Sequence, residues 1–147
     1  MLEKLIVPKY LDPRSPLVSV HINNTLVQNT IIDQGFAINI MTRDTMMKLN
    51  LQGFLRNTPT ILQLAYWSII KPEGMLEDII ISLESWEYPI DFLFIQLKSQ
   101  SNEYPLIFGR PWLATTYAYI GCRARNMTIT DDLFQKQIVS IPLPNLS

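Results

Sequence analysis

The residues of this chain with the clearest chemical potential lie in the run Thr30-Ile31-Ile32-Asp33-Gln34-Gly35. The β-branched residues favour a strand, and Gly35 permits a sharp turn directly after it. Asp33 is therefore predicted to sit where a buried strand delivers a carboxylate into a turn. Because an isolated buried carboxylate is costly, we expect it to accept hydrogen bonds, to have a charged partner or to carry a proton. The Asp-x-Gly pattern alone is common in chains of this length.

The available residue types argue against most other catalytic centres. The chain has one histidine, His21, and one cysteine, Cys122, whereas zinc sites need clusters of such ligands. His21 alternates within a predicted strand, which indicates an exposed strand residue, and Cys122 is expected to be an inert core thiol. The five glycines are not clustered, so no phosphate-binding loop or cofactor fingerprint is visible. We therefore expect neither a metal nor a cofactor.

Carboxylates remain, and two of them can hydrolyse an amide when they share a proton. One acts as a base on water, and the other acts as an acid toward the carbonyl oxygen. The chain supplies a single aspartate, Asp33, in the strand-to-turn setting. A pair therefore requires two copies of the chain that meet about a two-fold axis, each contributing its Asp33. The two groups would then titrate as one coupled pair.

Composition sets the broad class of the protein. With 147 residues, 48% hydrophobic and 17% charged, the chain is expected to form one globular domain. The net charge is −1 and no basic stripe is visible, so this domain is not expected to bind nucleic acid. No apolar run approaches the ~20 residues of a membrane span, and the start of the chain lacks the apolar core of a signal peptide. We therefore expect an intracellular, cytoplasmic protein.

The pattern of strands and turns divides the chain into three parts. Residues 1–16 form a proline-marked N-terminal arm, residues 17–132 a β-rich domain, and residues 133–147 a departing C-terminal linker or tail. Strands 17–22 and 26–33 are predicted to form a hairpin around Asn23-Asn24, and Glu84-Ser85-Trp86-Glu87 forms a second turn.

Two short helices interrupt the predicted strands. The first begins at the N-cap Thr42 and ends near Asn50, and the second covers 110–115, with Pro111 in its first position. Further short strands are predicted at 37–41, 117–120 and 127–130. Many short strands, frequent turns and two short helices are typical of a mainly-β barrel or sandwich.

Three segments carry a more specific pattern. The run Ile31-Ile32-Asp33-Gln34-Gly35-Phe36-Ala37-Ile38-Asn39-Ile40-Met41 is similar to the motif Asp-Leu-Gly-Ala-Ser-Ile-Asn-Leu-Met. Leu62-Gln63-Leu64-Ala65, Ser68 and Pro72-Glu73-Gly74 resemble a flap and its following strand. Pro105-Leu106-Ile107-Phe108-Gly109-Arg110-Pro111-Trp112-Leu113-Ala114-Thr115 matches the hallmark Ile-Leu-Gly-Arg-Pro-Phe-Leu-Ala-Thr. Over residues 9–132 the chain resembles the retropepsin-type aspartic protease domain of Gag-Pol polyproteins from plant gypsy-type LTR retrotransposons.

This resemblance implies a mainly-β fold, a closed barrel of the retropepsin type with one or two short helices. It also implies a homodimer that cleaves a polypeptide substrate, with Asp33 as the catalytic residue of each subunit. The implied active-site loop comprises Gln34, Gly35 and Phe36. The implied flap and substrate contacts are Ala65, Tyr66, Trp67 and Ser68. The implied structural support consists of Ile107, Phe108, Gly109 and Arg110.

The chain departs from the family pattern beside the aspartate. Gln34 replaces the usual Thr, Ser or Leu, Phe36 replaces a small residue, and Ala37 stands where Ser or Asp is common. Three functions therefore stay open: an aspartic endopeptidase of a retroelement polyprotein, a catalytically degenerate copy that acts as a dimerisation or binding module, and an unrelated β-barrel binding module. Whether Phe36 can turn away from the cleft separates the first two.

Overall fold

The structure, a computed structural model, describes residues 6, 8–9, 15–58, 62–63, 69–70, 72–95 and 104–141, with 62–63 and 69–70 described by their backbone alone. The strands in these ranges are β1 (Leu17–Ile22), β2 (Thr25–Ile32), β3 (Ile40–Met41), β4 (Leu62–Gln63), β5 (Ile69–Ile70), β6 (Gly74–Leu83), β7 (Trp86–Phe94), β8 (Leu106–Phe108), β9 (Tyr119–Gly121), β10 (Asn126–Thr130) and β11 (Lys136–Ser140). The helices are α1 (Arg43–Lys48) and α2 (Arg110–Thr116), and a 3-10 turn covers Gln52–Phe54.

Two hairpins follow the local turn chemistry. Asn23 and Asn24 connect β1 to β2 with φ angles of 51° and 64°, in the left-handed region where two-residue hairpin turns favour asparagine. β6 and β7 pair from Gly74 opposite Phe94 to Leu83 opposite Trp86. The Asn23-Asn24 turn is confirmed, and the second predicted turn is confined to Glu84-Ser85, because Trp86 and Glu87 already pair with β6.

Six strands close into a barrel in the order β1-β2-β8-β3-β7-β6. β2 runs parallel to β8, β8 runs antiparallel to β3, and β3 runs parallel to β7. Alternating residues of β1, namely Val18, Val20 and Ile22, are buried, as their spacing predicts. The predicted mainly-β closed barrel with short helices is confirmed.

The core is completed by aromatic side chains from the strands and from α2. Trp112 is fully buried and stacks on Phe108 with 4.6 Å between ring centroids and parallel ring planes. Phe92 of β7 packs against the same Phe108 ring at 6.0 Å. Because α2 follows β8 after one residue, this stacking fixes the corner between them.

The predicted first helix is confirmed together with its cap. The Thr42 hydroxyl oxygen accepts a hydrogen bond from the Thr45 backbone N–H at 3.4 Å. Met46 and Leu49 are buried, and Asn50 adopts a left-handed conformation directly after the C-cap residue Leu49.

Several predicted boundaries were wrong. Between 37 and 41 only Ile40–Met41 forms a strand. Tyr117 ends α2 in a left-handed conformation with φ of 48°, so β9 begins two residues later than predicted. Cys122 is exposed in the turn between β9 and β10 and is not a core thiol.

Part of the predicted C-terminal linker is a strand. The Asp131 carboxylate accepts hydrogen bonds from the N–H groups of Leu133 and Gln135 at 3.0 and 2.8 Å, which turns the chain back. Lys136–Ser140 then pairs with β10, and Val139 lies opposite Met127 with both side chains buried. Sheet β11-β10-β9 packs beside the barrel. The three-part division of the chain stays a prediction.

Candidate active site

Asp33 lies immediately after β2, where the strand ends. Its backbone N–H donates to the carbonyl of Phe108 at 2.9 Å, which continues the parallel pairing of β2 with β8 by one residue. The Gly35 N–H donates to carboxylate Oδ1 of Asp33 at 2.8 Å. The residue is half-buried, so the backbone is held by the barrel while the carboxylate stays accessible. This is the strand-to-turn setting that the sequence predicts.

The segment between β2 and β3 crosses over the end of β8, because these two strands lie on opposite sides of it. Gly109 lies directly under the crossing. A Cβ atom on Gly109 would collide with the carbonyl oxygen of Ile38 and would lie 2.6 Å from that of Phe36. Glycine is therefore required here by the close approach of two backbones.

Arg110 joins the crossing segment through its backbone and its side chain. Its N–H donates to the carbonyl of Phe36 at 2.9 Å, and its Nη1 donates to the carbonyl of Gln34 at 3.1 Å. Both acceptors are backbone atoms, so this bracing does not depend on a polar side chain at position 37. Ala37 and Gln34 are both exposed.

Phe36 packs into a small apolar cluster of its own. The buried members of this cluster are Ile40, Leu93 and Ile95. Phe36 packs on them with three other half-buried residues, Ile38, Met75 and Ile107. A side chain of this size is therefore accommodated beside the Asp33 turn by packing against β3 and β7.

Asn39 is a residue to which the sequence assigned no role. It is 3% exposed, and its Oδ1 accepts a hydrogen bond from the Gly109 N–H at 2.8 Å. The available signal was a single polar residue within the apolar run Ile38-Asn39-Ile40-Met41. Its partner lies 70 positions away, so no local pattern indicates the contact.

The predicted flap residues Ala65, Tyr66, Trp67 and Ser68 lie outside the described residues. The backbones on either side of them pair as antiparallel strands, with Leu62 opposite Ile70 and Gln63 opposite Ile69.

The described residues contain no group of three or more histidine, cysteine, aspartate or glutamate side chains that could hold a metal ion. His21 is an exposed residue of β1, as predicted. No helix in the described ranges is long and apolar enough to cross a membrane.

No family model and no curated protein matches the chain. Among solved structures, the chain is similar to the retroviral protease-like domain of Ddi1 from Leishmania major. The TM-score is 0.67 at 20% sequence identity, over 90% of this chain and 98% of that chain. The fold is retropepsin-like. This likeness confirms the fold that the sequence motifs imply. At 20% identity it bears on the fold alone.

Within the retropepsin-like fold, the predicted loop and support residues come together in one place. Asp33, Gln34 and Phe36 are each hydrogen-bonded through their backbone to Phe108 or Arg110. Ile107 pairs with Ile31 on one side and Ile40 on the other. The roles of these residues in catalysis stay predictions.

Proposed function

We propose that this chain is an aspartic endopeptidase domain that hydrolyses peptide bonds of a polypeptide as a homodimer, each copy contributing Asp33. The observation that carries this proposal is the Asp33 turn, a half-buried carboxylate on a backbone pinned by Phe108 and Arg110. The resemblance of the motifs around Asp33 and Gly109 to plant gypsy-type Gag-Pol proteases supports a retroelement polyprotein as the substrate.

The proposed chemistry uses two Asp33 carboxyls that share one proton. The ionised carboxylate removes a proton from a water molecule, whose oxygen attacks the peptide carbonyl carbon. The protonated carboxyl gives its proton to the carbonyl oxygen, which forms a neutral tetrahedral diol. Collapse of the diol breaks the C–N bond: the carboxyl that took the water proton gives it to the leaving amine, and the other carboxylate takes a proton from one diol hydroxyl, whose oxygen becomes the carbonyl oxygen of the new acid. One water is consumed, and the site is restored.

A second copy is needed because each chain brings one such carboxylate. Sheet β11-β10-β9 supports the proposal of a dimer, since β9 and β11 each pair on one side only among the described strands. An open strand edge is a surface on which another chain can add by hydrogen bonding. Exposed Tyr119 on β9 and Ile138 on β11 flank Thr128 on one face of this sheet.

Cleavage of a mixed peptide library by the purified protein at mildly acidic pH tests the proposal. We expect cleavage that is abolished by Asp33→Asn and by a statine-type transition-state inhibitor. Asp132→Asn is the matched control, because it makes the same change at an exposed turn between β10 and β11 and should leave cleavage intact. Sedimentation of the same samples reports whether the active species is a dimer.

The second candidate function is a binding or dimerisation module that keeps the fold without its chemistry. Phe36 supports it, because a large, half-buried side chain stands beside Asp33 where the family has a small residue. Gln34 supports it as well, since it matches neither the Thr or Ser of most retropepsins nor the Leu of the plant motif after the aspartate. A folded dimer that cleaves nothing would favour this second function.

A further inference from the structure

Asn39 uses both ends of its side-chain amide inside the protein. Oδ1 accepts from the Gly109 N–H, and Nδ2 donates to the backbone carbonyl of Asp91 in β7 at 3.1 Å. A backbone N–H can only donate and a carbonyl can only accept, so the amide fits in one orientation. A buried polar group satisfied in this way ties two backbone segments together at a defined distance.

The segment on one side of this link holds the Asp33 turn. Phe108 precedes Gly109 and accepts the Asp33 N–H at 2.9 Å. Arg110 follows Gly109 and donates its N–H to Phe36 at 2.9 Å. The position of Gly109 therefore sets two backbone bonds that hold the turn, one at Asp33 and one after it at Phe36.

The segment on the other side of the link is the main body of the barrel. Asn39 reaches β7 twice, through Nδ2 to Asp91 and through its own carbonyl, which accepts from the Leu93 N–H at 2.8 Å. β7 is nine residues long and pairs with β6 along most of its length. By contrast, β3 has two residues and gives little anchorage by itself.

We propose that Asn39 is a positioning residue for Asp33. Its side-chain amide holds Gly109 at a fixed distance from β7, and the residues on either side of Gly109 in turn hold the turn that carries the carboxylate. The catalytic meaning of this role rests on the proposed function. The positioning itself is a property of the folded chain and is measurable without activity.

Amide hydrogen exchange, followed by NMR on the full chain, tests the proposal directly. The reporters are the N–H groups of Asp33, Gly109 and Arg110, and the reference is the set of amides in the β10–β11 hairpin. Asn39→Leu removes both side-chain bonds and keeps the number and branching of the side-chain heavy atoms. Asn39→Asp keeps an acceptor for the Gly109 N–H, but its ionised carboxylate has no hydrogen to donate to the Asp91 carbonyl.

In Asn39→Leu we expect the three reporters to exchange about tenfold or more faster, beyond any change in the reference amides. Asn39→Asp should give a smaller increase, greatest for Asp33 and Arg110, since Gly109 retains an acceptor. If Asn39→Leu does not fold, Asn39→Asp decides alone.

The matched control is Thr45→Val. Thr45 is also buried, and its hydroxyl donates at 3.0 Å to the carbonyl of Pro105, the residue before β8. This variant removes a hydrogen bond near the opposite end of β8. The exchange rates of the reporters should then change no more than those of the reference amides. The proposal is overturned if, in the Asn39 variants too, the reporters exchange no faster relative to the reference amides than in wild type, because Asn39 would then contribute only general stability.

Binding of the statine-type inhibitor, measured by calorimetry, links this role to the site. If wild type binds it and Asp33→Asn does not, we expect Asn39→Leu to weaken the affinity about tenfold, because the Asp33 carboxylate is then held less firmly in its position. Unchanged affinity would contradict the positioning role. If wild type does not bind the inhibitor, the proposed function fails, while the exchange experiment still decides what Asn39 does.

Discussion

Two strands of the barrel end in a glycine turn, and these turns meet at the site with opposite properties. β2 leads into the Asp33 turn, where Gly35 is exposed and an added Cβ would meet only Oδ1 of Asp33, at 3.1 Å. β8 leads into the Gly109 corner, which is buried and has backbone carbonyls where a Cβ would be. The first turn carries the Asp33 carboxylate, and the second supplies the closely packed backbone beneath it.

This difference shows how the fold keeps a carboxylate both accessible and fixed. A turn that is itself buried would desolvate the carboxylate and disfavour its ionised form. A turn supported only by solvent would leave its position variable. The exposed turn is instead bonded through its backbone to a corner packed beneath it, so access and rigidity come from different residues.

The largest expected effect comes from Gly109→Ala. The added methyl group would collide with the carbonyls of Ile38 and Phe36, and neither backbone can move without opening the crossing. We expect a loss of about 3 kcal/mol or more in the free energy of unfolding, measured with urea.

Two other glycine variants define the comparison. Gly53→Ala is the control, because nothing lies within 4 Å of its Cβ position, and it should be neutral or slightly stabilising. Gly35→Ala should cost clearly less than Gly109→Ala, since its one close neighbour is a side-chain oxygen. Equal costs at positions 35 and 109 would show that the two turns do not divide their tasks in this way.

The next largest effect is expected from Phe36→Ala. The Phe36 side chain is half-buried on the cluster of Ile40, Leu93 and Ile95, so its removal should cost about 1–2 kcal/mol. Phe54→Ala makes the same change at a side chain that is 67% exposed and should cost less than about 0.5 kcal/mol. Similar values for both variants in urea unfolding would mean that Phe36 does not contribute to holding the Asp33 turn.

These two turns also differ in how far the sequence predicted them. The Asp33 turn follows from local chemistry, since β-branched residues, a carboxylate and a glycine stand next to one another in the chain. The packing at Gly109 does not, because the atoms that exclude a side chain belong to residues 36 and 38. Asn39 and β11 were missed for the same reason: the two partners of the Asn39 side chain are 70 and 52 positions away, and β11 is defined by its pairing with β10.

Tyr88→Phe tests whether stability can be changed away from both turns. The Tyr88 hydroxyl donates to the carbonyl of Thr130 in β10 at 3.0 Å and so connects the barrel to the three-stranded sheet. Near neutral pH its removal should cost about 1 kcal/mol. Cleavage should stay unchanged if the Asp33 turn depends only on its own support.

The same variant carries a pH dependence. Burial, together with the nearby Asp131 charge, raises the pKa of Tyr88 to about 12 from the ordinary value of 10.0. As the pH rises, the Tyr88 phenol therefore ionises first in the unfolded chain. The stability that the Tyr88 hydroxyl contributes is lost between about pH 10 and pH 12. Wild type and Tyr88→Phe should reach equal stability at about pH 11. A constant difference in urea unfolding across this range would contradict the assignment.

The smallest effect is expected from Arg110→Ala, although Arg110 belongs to the segment 105–115, which matches a family hallmark. Its exposed guanidinium donates one hydrogen bond, to the carbonyl of Gln34, while its backbone N–H, which bonds to Phe36, remains in the variant. The side chain also lies in the first turn of α2, where a positive charge opposes the helix dipole. We expect urea unfolding to show a loss of less than about 1 kcal/mol. The variant keeps glycine at position 109 and the backbone bond from residue 110 to Phe36. A loss as large as that of Gly109→Ala would therefore show that the Asp33 turn is supported by an exposed side chain and not by buried backbone.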